Sequence, residues 1–190
     1  MMRQTIMHGS GLMNSAHAAH FAQFFETDEA LTEAASRYLR DAIDAGCTCV
    51  ALTTAQHREH IEARLRSMGF APEALAAAYR YITLDAHQAL DGFMLDGCPD
   101  RQRFHHSMGL LIRQAAARGQ PVRVFSEVVP LLAAAGRRRC AIEVEDLWNE
   151  LTRLYSFTLC CAYPLATFEN DEDTRARLCA LHQPGVQACA

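Results

Sequence analysis

The chain contains no lysine; all 18 of its basic side chains are arginines, against 22 acidic ones. A phosphate-loop NTPase of the usual kind needs a lysine to reach the phosphates. Schiff-base catalysis needs a lysine amine. Both are excluded, as are acetylation and ubiquitination of lysine side chains. The net charge of −4 argues against non-specific nucleic-acid binding, which rests on neutralising phosphates. The one dense basic cluster, Arg137-Arg138-Arg139, reads as a solvated turn or helix face. No stretch approaches the roughly 20 apolar residues of a membrane span. Met1 to Phe25 holds one arginine and no apolar run of the signal-peptide kind, so a cytoplasmic protein is expected.

Cysteine is plentiful, with eight residues, but no Cys-x-x-Cys pair occurs. A zinc ribbon is therefore not indicated, and a reducing compartment with free thiols is. Cys47, Cys49, Cys160 and Cys161 lie in apolar runs and read as small buried hydrophobes. His17 and His20 are too loosely placed for a metal pair, and His105-His106 point in different directions on a helix. No metal, cofactor or catalytic group is assigned.

Strand and helix patterns alternate along the chain. Strands are expected at 20–25, 47–53, 79–84, 121–125 and 157–162. Helices are expected at about 28–45, 55–68, 86–95, 101–118, 127–135 and 138–153, with a polar terminal helix at about 169–183. Residues 97–100 read as a turn. Thr27 or Asp28 and Thr54 are N-cap residues, and Gly46, Gly69 and Gly119 close helices. The continuous apolar strand 47–53 belongs in a sheet covered on both faces. The pattern predicts an α/β fold of three layers, a mostly parallel sheet flanked by helices with right-handed crossovers.

In such a sheet ligands sit at the carboxyl ends of the strands. The polar residues there are Glu26 and Asp28, Thr53, Thr54 and His57, Asp85 and His87, Ser126 and Glu127, and Tyr163. They form a plausible rim but no catalytic signature.

Several stretches, in order, resemble the MEDS domain, a sensory domain named for methanogens, methylotrophs and a dichloromethane-responsive regulator. They are His20 with Gln23-Phe24-Phe25-Glu26, Gly46-Cys47-x-Cys49-Val50, Ala55-x-His57-Arg58, Leu84-Asp85-Ala86 and Phe93-Met94-x-Asp96-Gly97-x-Pro99-Asp100. The later ones are Pro121 to Glu127, Glu145-x-Leu147-Trp148-Asn149-x-Leu151 and Leu159 to Pro164. The resemblance implies a RecA/KaiC-like fold that has lost its phosphate-binding loop. Phe24-Phe25-Glu26-Thr27-Asp28 stands at the expected loop position, an acidic aromatic turn that repels phosphate. It divides the chain into a flexible N-terminal arm, 1–16, a sensory domain, 17–168, and a C-terminal helix and tail, 169–190. Phe25 stands where tyrosine is expected and Ser126 where glycine is, so ligand identity does not carry over.

The leading expectation is a non-enzymatic, stand-alone sensory domain that binds a small molecule. It relays the signal to a separate histidine kinase or transcription regulator, and a homodimer is possible. A redox or metal sensor using Cys160-Cys161 or mixed Cys/His ligands is an alternative, and a residual nucleotide hydrolase another. The expected ligand-binding residues are His20, Phe25, Glu26, Asp85, Glu127, Asn149 and Tyr163. One pocket at the carboxyl edge is expected to hold His20, Glu26, Asp85, Glu127 and Tyr163, with Phe24 or Phe25 as an apolar wall. The bland readings are a helix-capping Glu127, a locally bonded His20, a solvated Glu26 and a core Trp148 beside Asn149.

Overall fold

A computed structural model of the chain describes residues 19–169 and 171–183. The expected arm at 1–16, His17 and the last seven residues lie outside that range.

Five strands form one parallel sheet in the order β1-β7-β6-β2-β3. They are β1 (Ala19–Phe25), β2 (Thr48–Thr53), β3 (Tyr81–Asp85), β6 (Val122–Ser126) and β7 (Thr158–Pro164). A separate two-stranded hairpin, β4 (Met94–Leu95) and β5 (Cys98–Pro99), turns through Asp96-Gly97. Both turn residues have positive φ, which glycine adopts without strain and aspartate tolerates.

Because side chains alternate across a strand, each strand feeds two cores. One face carries Phe25, Cys49, Ala51, Phe125, Cys160 and Ala162. It is covered by α1 (Asp28–Asp44), α2 (Ala55–Ser67) and α3 (Pro72–Ala77). The other carries Val50, Leu52, Val124, Leu159, Cys161 and Tyr163. It lies under α4 (Ala86–Phe93), α5 (Arg101–Ala116), α6 (Val128–Ala134), α7 (Arg138–Leu154) and α8 (Glu172–Leu181). This is the three-layer α/β architecture expected from the sequence.

Helices α1 and α2 start at expected caps, and Asp100, expected only as part of a turn, caps α5. Thr27 Oγ1 accepts from the Ala30 N–H, Thr54 Oγ1 from His57 N–H and Asp100 Oδ1 from Arg103 N–H, satisfying donors that a helix leaves open. Between β1 and α1 stand only Glu26 and Thr27. With Asp28 and Glu29 in the first turn, that connection has neither the length nor the charge to wrap a phosphate.

Three local readings need correction. The third strand starts at Tyr81, not residue 79, because Tyr79 takes a positive φ after α3 and cannot pair. Helix α3 itself was not anticipated; Pro72 starts it in place of a side-chain cap. Strand β7 runs on through Tyr163 and Pro164, paired with Phe24 and Phe25 of β1.

Candidate functional site

Six side chains meet under α7 and α8. His20 comes from the start of β1, and Glu145 and Asn149 come from α7, one turn apart. Cys161 and Tyr163 come from one face of β7, and His182 follows α8. Glu145 is the hub. Its Oε2 lies 3.0 Å from His20 Nε2, 3.4 Å from His182 Nε2 and 3.8 Å from Cys161 Sγ. The Tyr163 hydroxyl donates to its other oxygen. Glu145 is fully buried, and the side chains of His20 and His182 are 3% and 2% exposed.

The outer contacts fix how both imidazoles are presented. Asn149 Nδ2 donates to the Leu181 carbonyl at 3.0 Å, so its Oδ1 faces His20 and accepts from Nδ1–H, also at 3.0 Å. His182 Nδ1–H donates to the Leu178 carbonyl at 2.6 Å. Each ring therefore turns Nε2 inward. His182 Nε2 meets Glu145 Oε2 as a 3.4 Å ion-pair contact without the geometry of a hydrogen bond, a weakly satisfied state for a buried polar atom. Phe24 stacks on Tyr163, and Phe168 packs edge-on against both, closing the group with aromatic surface.

The charge balance follows from the packing. Burial pushes the Glu145 carboxyl up, but the His182 and His20 imidazoles outweigh it and hold the group well below the usual carboxylate range. Burial pulls the His182 imidazole down, and Glu145 more than reverses it. Burial, then Glu145, raises the Cys161 thiol and the Tyr163 hydroxyl. The centre is thus an anion held by imidazoles, with a protonated thiol and phenol beside it.

A second buried carboxylate sits at the carboxyl edge between β2 and β6. Glu127 accepts from the Thr54 N–H at 3.1 Å and from His57 Nδ1–H at 2.9 Å, and His57 Nε2 lies 3.6 Å from the exposed Asp28. Glu127 and His57 are thus both partnered there.

The seven residues expected to bind ligand do not share one crevice. His20, Asn149 and Tyr163 converge in the buried group, on the face of the sheet rather than at its edge. Glu127 pairs with His57. Asp85 caps α4, accepting from the His87 and Gln88 N–H groups. Glu26 is exposed. Phe25 points into the opposite core, against α1. Spacing is the physical reason for the separation of Asp85. It lies on the β3 edge, three strand steps from Tyr163, or about 14 Å at roughly 4.8 Å per step. Of the proposed aromatic walls, Phe24 flanks the centre and Phe25 does not. Cys160 and Cys161 face opposite cores, so they act separately. His105 pairs with Glu150 at 2.8 Å.

Comparison with curated proteins returns no match. The family model of the MEDS domain, described as the methanogen/methylotroph, DcmR sensory domain, matches residues 19–183. The chain belongs to the MEDS family. The matched residues include α8 and His182.

Glu145, Cys161 and His182 were missed as site residues. Glu145 and Cys161 lay within stretches already singled out, but a helical glutamate and a strand cysteine each read as ordinary alone. His182 follows the weakly patterned α8 and gave no signal.

The edge pair in this MEDS domain makes a pH prediction. Glu127, by hydrogen bond and charge, raises the His57 imidazole above its ordinary value of 6.5, with Asp28 adding to it. A raised folded-state value stabilises the fold fully below the unfolded value, and that stability is lost as pH rises through the folded value. Chemical denaturation from about pH 6 to about pH 9 should show stability falling more steeply in the wild type than in His57→Gln. Parallel curves would show that the pair contributes nothing.

Proposed function

We propose that this MEDS domain senses a small ligand at the buried centre of His20, Glu145, Cys161 and His182, and passes occupancy through α8 to a separate protein. A histidine kinase or a transcription regulator is the proposed partner class, in a cytoplasmic setting. The role is binding rather than catalysis. No helix among the described residues is long and apolar enough to cross a membrane.

The observation that carries this reading is how α8 is held. The helix buries only Thr174 and Leu178, little apolar surface for ten residues. Its end is tied by polar contacts to the centre: Leu181 through Asn149, His182 beside Glu145, and the Gln183 N–H donating to the His20 carbonyl at 2.8 Å. A ligand that engages the inward Nε2 of His182 acts directly on the docking of α8. A contact that differs between the bound and free states is what a relay requires.

Thermal-shift screening of the full chain against small halogenated, methylated and other polar metabolites and divalent ions tests this. A ligand at 100 times its Kd adds about 2.7 kcal/mol. The expected result is a Tm rise in the wild type that His182→Ala abolishes. Flat responses across the set, or a rise that the variant retains, would overturn the reading.

A further inference from the structure

The buried centre presents four donors of mixed type: two imidazole nitrogens, one carboxylate oxygen and one thiol sulfur. These atoms all lie within 4.8 Å of one another. Around a tetrahedral ion with bonds of about 2.0–2.3 Å, neighbouring donors stand roughly 3.3–3.8 Å apart. The separations here are 3.0 Å for His20 Nε2 to Glu145 Oε2 and 3.4 Å for His20 Nε2 to Cys161 Sγ. His182 Nε2 to Glu145 Oε2 is 3.4 Å, and Cys161 Sγ to Glu145 Oε2 is 3.8 Å. Three of these four separations fall within that range, and the fourth, His20 to Glu145, is shorter.

The outer contacts are those of a metal site. Ligating histidines characteristically give their second N–H to a carbonyl or carboxylate, which fixes the ring and leaves the other nitrogen's lone pair for the ion. His20 does this to Asn149 Oδ1 and His182 to the Leu178 carbonyl. Tyr163 steadies the carboxylate from behind. His182 Nε2, which faces Glu145 in an ion pair but makes no well-formed hydrogen bond, is the atom that an ion would satisfy.

We infer that this centre binds one divalent zinc-type ion through His20 Nε2, Glu145, Cys161 Sγ and His182 Nε2. The inference rests on the centre being the ligand site and names the ligand's chemistry. The donor set selects the ion. Magnesium and calcium require oxygen ligands, whereas thiolate and imidazole favour zinc and its neighbours. A two-histidine, one-carboxylate iron site keeps positions open; here the cysteine supplies a fourth ligand, matching the closed tetrahedral preference of zinc. Binding converts the Cys161 thiol to thiolate and takes Nε2 of each imidazole as a lone-pair donor, and the protons those atoms carried pass to solvent. The ion keeps its +2 charge, with no change of oxidation state. With Glu145 and the thiolate each carrying −1, the centre becomes neutral. Release of the His182 end of α8 gives the ion its path in.

The test uses the full chain, stripped with a chelator and titrated with Co²⁺ as a spectroscopic stand-in for Zn²⁺. One ion per chain and a thiolate-to-cobalt charge-transfer band in the near ultraviolet are expected, and Zn²⁺ should displace the Co²⁺. Cys161→Ser should remove that band and His182→Gln should weaken uptake at least about 10-fold. Cys98→Ser, which alters an exposed thiol, should do neither. If Cys161→Ser fails to fold by circular dichroism, His182→Gln carries the test, since that residue lies outside the sheet. No uptake by the wild type, or uptake that His182→Gln leaves unchanged, would overturn the inference. Loss of metal uptake alongside an organic ligand whose binding still needs His182 would overturn the ion and leave the sensing reading standing. Metal uptake with no change in α8 amide exchange would do the reverse.

Discussion

Glu145→Ala should destabilise the domain by about 3–5 kcal/mol, the usual cost of removing one partner from a buried charged group. The variant leaves His20, His182 and the Tyr163 hydroxyl facing an empty space without their common acceptor. For a chain of this size each kcal/mol lowers Tm by about 2–4 °C, so a drop on the order of 10 °C is expected by calorimetry. The loss should exceed that of Tyr163→Phe, which removes a single hydrogen bond worth roughly 1.5–3 kcal/mol to a charged group. A Glu145→Ala variant as stable as the wild type would mean that the imidazoles do not depend on the carboxylate.

Trp148→Ala should cost a comparable amount, about 3–5 kcal/mol, by another mechanism. Trp148 is fully buried, with Phe104 of α5 edge-on at 5.1 Å and Phe157 at 6.2 Å. It seats the helix that carries Glu145 and Asn149 against the sheet. Truncation removes apolar contacts and leaves a cavity that only partly collapses. Trp148→Phe should recover most of the loss. Equilibrium urea denaturation of both variants measures this, and equal stability of Trp148→Ala and wild type would contradict the packing role.

The strands were legible because burial on both faces leaves near-continuous apolar runs such as Cys47 to Thr53, and the first helices because Thr27 and Thr54 announce their starts. In the hairpin, Met94–Leu95 was read as the end of the helix at 86–95 and Cys98–Pro99 as part of a turn, since two-residue strands carry no period. The site was half legible for a related reason. A strand-end rule finds residues at the carboxyl edge, and it found Glu127, which is there. The buried centre lies instead against the sheet face. His20 reaches it from the opening of β1, Cys161 from the middle of β7 and His182 from beyond the last helix. Parallel pairing of β1 with β7 and the docking of α8 bring these residues together, and no local spacing in the sequence encodes either. Phe25 illustrates the converse: one residue from Phe24 along the same strand, it faces the other core.

Amide hydrogen exchange across α8 tests the central claim most directly, with the full-length wild type and His182→Ala compared under the same conditions. If the buried centre holds the helix, breaking the buried His182–Glu145 ion pair costs about 3–5 kcal/mol. The Glu172–Leu181 amides should then exchange about 10-fold faster or more, while those of β2 and β6 stay as they were. Equal exchange across α8 in the two proteins would contradict the claim, showing that the helix is held by its own packing and that nothing at the centre can be read through it.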